Sequence, residues 1–408
     1  MNVASLSWRY LWSRPLTTAL NLLLLTLGLA SMALVLIARD QVERAFERDL
    51  AGIDAVVGAK GSPMQLILAG VFHIDVPPGN IPLAQAEALA RHPQVAQMIP
   101  LSLGDNLAGY RIVGTTLDYP AHYAAVLAGG AWWRQPLEAV LGAQVAARTS
   151  LQVGQAFEGA HGLVAGGAAH GQTPYAVVGV LAPCGCVLDR LVLTATESVW
   201  RVHDDMHAAD GMNEAERAEL DAALQDERDI TLALIRYRTP MAALSFPRFV
   251  NETTSMQAAA PALEITRLLG MVGVGTQVLQ GLTAVLLVVA GLSVFIALWG
   301  AVRERRSDLA MLRMLGAPPR RVAALLLCEA LWLALMASLL GLLAAHALAA
   351  LLGDMLMVRH SLAISAWRWV PAEGWVPVLA LGVATVAALL PTFSAYRFDV
   401  TSLLNNSR

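Results

Sequence analysis

Charge is what this sequence has least of. Of its 408 residues, 14% are Asp, Glu, Lys or Arg while 56% are hydrophobic, where a soluble domain carries about a quarter charged residues. An ordinary soluble chain is thereby excluded. A basic excess is missing too: the formal net charge is -3, which argues against nucleic acid as a partner. No stretch has the G-x-x-x-x-G-K-[S/T] spacing of a phosphate loop. The nearest, DAVVGAKGSP at 54–63, sets Gly-x-x-Gly around a lysine but does not wrap backbone amides round a phosphate chain. Any ATP chemistry must therefore come from a partner. HExxH, Ser-His-Asp and paired-carboxylate arrangements are also missing in and beside the apolar runs, which argues against a hydrolase.

Long apolar runs are what the sequence has instead. Positions 15–38, 268–302 and 374–396 contain no charge, and 322–353 contain one, Glu329. Each suffices to cross a hydrocarbon core of about 30 Å at roughly 1.5 Å per residue. The expected fold class is membrane α-helical, with four transmembrane helices at 15–38, 281–302, 322–353 and 374–396. To these is added an α+β extracytoplasmic domain at 55–254, between spans 1 and 2. Residues 39–54 alternate charge sign at helical spacing, and 255–280 are helix-compatible. Both read as stalk helices that would join the outer domain rigidly to the membrane. The apolar run of span 1 is longer than the core of a cleavable signal, so it reads as an uncleaved anchor.

Arg9 and Arg14 precede span 1, and six arginines (303, 305, 306, 313, 320 and 321) lie between spans 2 and 3. Basic residues stay on the cytoplasmic side, so 1–14, the loop at 303–321 and the tail at 397–408 are expected there. The large domain and the mixed-charge loop at 354–373 then face outward. Within that domain, 110–116, 175–182 and 229–238 read as strands, and 81–95 and 213–225 as helices. Residues 141–158 run from helix through a turn to a strand, and 188–203 from strand to helix. The alternation suggests a βαβ-type piece beside a smaller β-rich piece. The apolar MQLILAGVFHID following the lysine loop is expected where the domain sits near the membrane.

The loop VRERRSDLAMLRMLGAPPRRV, 302–322, is the most informative stretch. Ser307 or Asp308 can cap a helix. Leu309, Leu312 and Leu315 form one apolar ridge, widened by Met311 and Met314. Gly316 and the Pro318-Pro319 pair stop it. A short amphipathic helix resting on membrane lipid is the plainer reading. The paired spans and the missing nucleotide site favour a docking surface for another protein. Glu329, alone in span 3, is close enough to Arg320 and Arg321 to reach them or interfacial water, and its role is structural or conformational. His203 and His207 stand one helical turn apart, a zinc-pair spacing, and His161 and His170 lie in a Gly-rich loop. Cys184 and Cys186, one residue apart, would close a strained disulfide, so free thiols or metal thiolates are expected over a bridge. Turn cysteines and surface histidines are preferred to a metal site, because spacing alone does not show convergence.

At these residues the sequence resembles the FtsX/MacB-type permeases, the four-span subunits of mechanotransmitting ABC transporters. RERRSDLAMLRMLGAPPRRV is similar to that family's cytoplasmic coupling segment, and PTFSAYRFDVTSLL (391–404) to its C-terminal pattern, with Val400 at the usual proline. VGAKGSP, HID, GNIP and VVGVLAPCGCVLDRLVLT resemble a bacterial subfamily with a MacB-type periplasmic domain. Where relatives read P-T-G-T, this chain has Pro183-Cys-Gly-Cys186. Some relatives carry histidine-rich tracts near 203–207, of which this chain keeps a sparse version. The resemblance implies a non-catalytic permease in the bacterial inner membrane, working with a second copy and a cytoplasmic ABC ATPase that supplies ATP and magnesium. No cofactor is expected on this chain itself, zinc being the alternative. Arg305, Arg306 and Arg313 would pair with ATPase acids, while Leu309, Leu312 and Leu315, stopped by Gly316, would dock into its groove. Cargo would be a peptide, lipoprotein or amphiphile, with a periplasmic adaptor or lipoprotein as a further partner. The alternative is a non-transporting mechanotransmitter that activates or loads a periplasmic partner.

Overall fold

The computed structural model describes residues 3–162, 173–204, 228–304, 311, 318–360 and 367–396. Among these, helices α1 (Val3–Trp12) and α2 (Pro15–Leu50) come first. Then follow α3 (Pro63–Gly70), α4 (Leu83–Ala90), α5 (Asp118–His122), α6 (Ala143–Thr149) and α7 (Thr196–Asp204). The last four are α8 (Ala242–Thr253), α9 (Pro261–Glu304), α10 (Pro319–His360) and α11 (Trp375–Tyr396). The chain divides into two compact units, Met1–Glu43 with Met271–Arg408, and Arg44–Gly270.

The first unit is helical. Among the described residues four helices are long and apolar enough to cross a membrane: Pro15–Leu50, Gln277–Glu304, Pro319–Gly353 and Pro371–Tyr396. Their packing follows from residue size. Leu25, Leu29, Ala33 and Ile37 recur every fourth position of α2 and are fully buried, as are Ala330, Ala334 and Ala337 of α10 and Ala380, Ala384 and Ala388 of α11. Small residues let helix backbones approach where apolar burial alone gives no advantage over lipid. Gly341 of α10 takes this furthest: a Cβ there would lie 3.0 Å from Leu29 Cβ and 3.3 Å from the Ala30 nitrogen. Ser31 and Thr283 hydroxyls meet at 3.1 Å, and the Ser293 hydroxyl donates to Asn21 Oδ1 at 2.6 Å, tying α2 to α9. Leu16, Leu20, Leu23 and Leu27 line the opposite, exposed face of α2.

The second unit is built on a mixed sheet. Its strands begin with β1 (Ala55–Ala59), β2 (Ile81–Pro82), β3 (Val95–Leu107), β4 (Tyr110–Thr115), β5 (Leu127–Gly130) and β6 (Glu138–Leu141). They continue with β7 (Ala156–Phe157), β8 (Ala160–His161), β9 (Tyr175–Leu181), β10 (Val192–Ala195), β11 (Asp229–Ile230), β12 (Leu232–Tyr237) and β13 (Met256–Ala259). The main path runs β13-β1-β12-β3-β4-β10-β6-β9-β5, with β7 beside β9, β8 beside β3, and β2 and β11 paired separately. β4 with β10 and β6 with β9 are parallel pairs, and the other pairs are antiparallel. A single sheet therefore carries both the βαβ and the β-rich pieces. Separate apolar cores cover its ends, one around Phe246, Val250 and Ile235, the other around Val145, Leu141 and Tyr175.

Several elements differ from the sequence expectation for local physical reasons. Ile81–Pro82 form β2, and the helix starts only after Pro82 and ends at Ala90. Met256–Ala259, within the stretch read as a stalk helix, form β13 paired to β1, and α9 begins at Pro261. MQLILAGVFHID supplies part of the domain core, with Leu66, Ile67, Ala69 and Val71 fully buried, and its expected place near the membrane is not tested by that burial. The GAKGSP turn passes from β1 to α3, with Ser62 at the helix start and the Gly61 amide donating to Gln257 Oε1 at 2.7 Å. The helix read at 213–225 lies outside the described residues.

Candidate functional site

At the ends of α9 and α10, a small apolar cluster of Val302, Val322, Leu326 and Ala395 is buried. It joins the last turn of α9, the first turns of α10 and the end of α11. The stretch between α9 and α10 therefore leaves from and returns to one packed point. Arg303, Glu304, Arg320 and Arg321 are exposed around it, and Arg14, between α1 and α2, pairs with Glu304. Met311 is exposed. Arg305, Arg306, Leu309, Leu312, Arg313, Leu315 and Gly316 lie outside the described residues.

Glu329 is buried and lines a small cleft with Arg14, Thr17, Thr18, Asn21 and Leu298. The residues around it come from α1, α2, α9, α10 and the turn before α2. Arg320 and Arg321, nearer in sequence, are not part of that lining. Sequence reading singled out Arg14 and Glu329 but not the cleft between them, because Thr17, Thr18 and Asn21 are neutral side chains within an uncharged run.

The second unit holds a buried polar network. Asp49, on the last turn of α2, accepts from the Val187 amide at 3.1 Å, and its carbonyl accepts from the Tyr123 hydroxyl at 2.8 Å. Burial raises the Asp49 pKa, opposed by the charge of Arg190 and the Val187 hydrogen bond. Arg190 donates to the Phe72 carbonyl at 3.0 Å, and Arg111 to the Asp75 carbonyl at 2.9 Å. Burial lowers both guanidinium pKa values, that of Arg111 to about 10. His73 lies 2.9 Å from the Tyr119 hydroxyl, and burial, then the charges of Arg111 and Arg190, hold it well below 6.5. His73 and Arg190 belong to the HID and VLDR stretches, so those sequence patterns mark one packed core.

The cysteines require a correction. Cys184 and Cys186 are joined to each other as a disulfide, with Cα atoms 5.1 Å apart, within the usual range. The physical reason is Gly185, whose φ of 64° lies in the left-handed region and turns the chain tightly enough to close the ring. Neither sulfur is then a thiolate ligand. His161 meets the buried Asp105 carboxylate at 3.2 Å. His203 falls on α7, its side chain undescribed, while His170 and His207 lie outside the described residues. Among the described residues, no three His, Cys, Asp or Glu side chains cluster as a metal site requires.

Residues 281–400 match the FtsX-like permease C-terminal family, and residues 18–233 match the MacB-like periplasmic core domain. The second match alone covers more than half of the chain. The chain belongs to the MacB/FtsX-like ABC transporter permeases. This membrane permease is 23% identical over 424 aligned positions to the pyoverdine export ATP-binding/permease protein PvdT of Pseudomonas fluorescens (strain Pf0-1). The match takes in 98% of the permease and 58% of PvdT, so the chain spans under two thirds of that curated relative. Two solved structures are also similar, each at 11% identity. The periplasmic region of MacB from Actinobacillus actinomycetemcomitans covers 54% of the permease and is covered to 95%, with a TM-score of 0.33. The extracellular domain of the noncanonic ABC-type transporter YknZ from Gram-positive bacteria covers 50% and is covered to 98%, with a TM-score of 0.30.

Proposed function

We propose that the permease is the membrane component of an ATP-driven exporter in the bacterial inner membrane, and that a cytoplasmic ABC ATPase drives it through residues 305–317. The observation that carries this reading is the packed point formed by Val302, Val322, Leu326 and Ala395, with exposed Arg303, Arg320 and Arg321 around it. A short segment returned to such a point delivers a push to three helices at once. The cations suit an acidic rim on a partner, and the leucine ridge suits its groove. The name of PvdT joins ATP binding and a permease in one export protein, which supports the same coupling here. A second copy completes the machine, and no catalysis is assigned to this chain. Cargo, a peptide, lipoprotein or amphiphile, is handled on the outer side.

The reading is tested by joint substitution of Leu312→Asp and Arg313→Glu. Loss of ATPase association and of ATP-stimulated activity is the expected result. Unchanged association and activity would refute coupling through this segment.

A further inference from the structure

The Cys184–Cys186 disulfide is poorly placed to stabilise the fold. It encloses a single residue, and a bridge restrains the unfolded chain least when its loop is shortest. It also joins no two elements. The loop that carries it is held by other means: the Cys184 and Gly185 amides donate to the two oxygens of Asp189 at 3.0 and 2.7 Å, and the Val187 amide donates to Asp49. Asp189 is itself 4% exposed and fixed at the foot of the loop.

Neither half of the disulfide is fully enclosed. Cys184 and Cys186 are half-buried, packing against the domain core, while Gly185 between them is exposed. Arg48 lies over that glycine: a Cβ at position 185 would sit 3.0 Å from its Nη1. A guanidinium at the mouth attracts an approaching thiolate. The reduced form is provided for as well. Cys184 Sγ stands 3.4 Å from Asp189 Oδ1, so a Cys184 thiol has an acceptor waiting, and the Cys186 amide lies 3.1 Å from the same sulfur.

We propose that Cys184–Cys186 is a thiol–disulfide exchange site that accepts two electrons from a dithiol. One thiolate of the dithiol bonds to Cys186 Sγ, and the sulfur–sulfur pair leaves on Cys184, which takes up a proton and donates to Asp189. The second thiolate of the dithiol then attacks the first sulfur of its own molecule. That releases Cys186 Sγ, which takes up the second proton. The dithiol becomes a disulfide and the permease holds two thiols, so electrons and protons balance.

The test uses the full chain, folded in detergent, carrying Cys328→Ser so that only Cys184 and Cys186 remain of the three cysteines. Dithiothreitol is added at neutral pH, the reaction is quenched with a maleimide, and labels are counted by intact mass. Two labels on the folded protein within minutes are expected, against none without dithiothreitol. The unfolding midpoint should stay within about 2 °C, because Asp189 and Asp49 still hold the loop. Labels that come only after denaturation would overturn the proposal. So would a reduction that lowers the midpoint by more than this, since the bridge would then be structural.

Discussion

His73 and Tyr119 are hydrogen-bonded at 2.9 Å inside the sheet domain, with the tyrosine fully buried and the histidine nearly so. A histidine in that position folds neutral. Its folded pKa lies well below 6.5, so the unfolded chain binds the extra proton first as pH falls. The stability it contributes is complete above about pH 6.5 and declines below it, by up to about 1.4 kcal/mol per pH unit until the folded pKa is reached. Burial lowers the His122 pKa too, with the same sign. Thermal unfolding of the permease between pH 7.5 and 5 should show this loss, and His73→Gln should flatten but not abolish it. A variant with the full wild-type slope would remove His73 as its source.

Gly341 permits the close approach of α10 to α2. Gly341→Leu should lower stability by roughly 1–3 kcal/mol, the usual range for overpacking, with Gly341→Ala intermediate. Unfolding in detergent measures this. Equal stability in all three proteins would mean that the helices do not meet there.

Glu373 is fully buried in the turn before α11, where it accepts from the Val370 amide at 3.0 Å and lies 2.9 Å from His346 Nε2. Glu373→Ala strands both groups and should cost about 1–3 kcal/mol. Glu373→Gln keeps an acceptor for the amide and should recover part of it. If alanine and glutamine behave alike, the amide bond is not what matters.

The membrane helices were legible because an uncharged run of twenty residues has few other places to go. The strands Tyr110–Thr115 and Tyr175–Leu181 were legible from their Val and Ile content. β13 was not, since Met-Gln-Ala-Ala favours a helix locally. Its pairing of Val56 with Ala259, two hundred residues apart in the chain, overrides that preference. The disulfide was missed for a similar reason. Spacing alone disfavours a bridge, and only the left-handed Gly185 and the Asp189 oxygens show how the turn accommodates it. In the stretch 302–322, proposed as a docking segment, the leucine spacing and the cations are visible in sequence. The packed point formed by the flanking helix ends draws on Ala395, which no local pattern connects to Val302.

β1 and β13 have one further consequence. α2 ends at Leu50 and β1 begins at Ala55, while β13 ends at Ala259 and α9 begins at Pro261. The chain therefore enters and leaves the sheet domain on two neighbouring antiparallel strands, roughly 5 Å apart. To the rest of the protein, some two hundred residues amount to the tip of a hairpin. A domain anchored in this way is exchangeable: a different outer module with paired terminal strands could be grafted between Leu50 and Pro261 without changing the distance between the helix ends. That gives a concrete route to chimaeras in which the outer domain is replaced and the helices are retained.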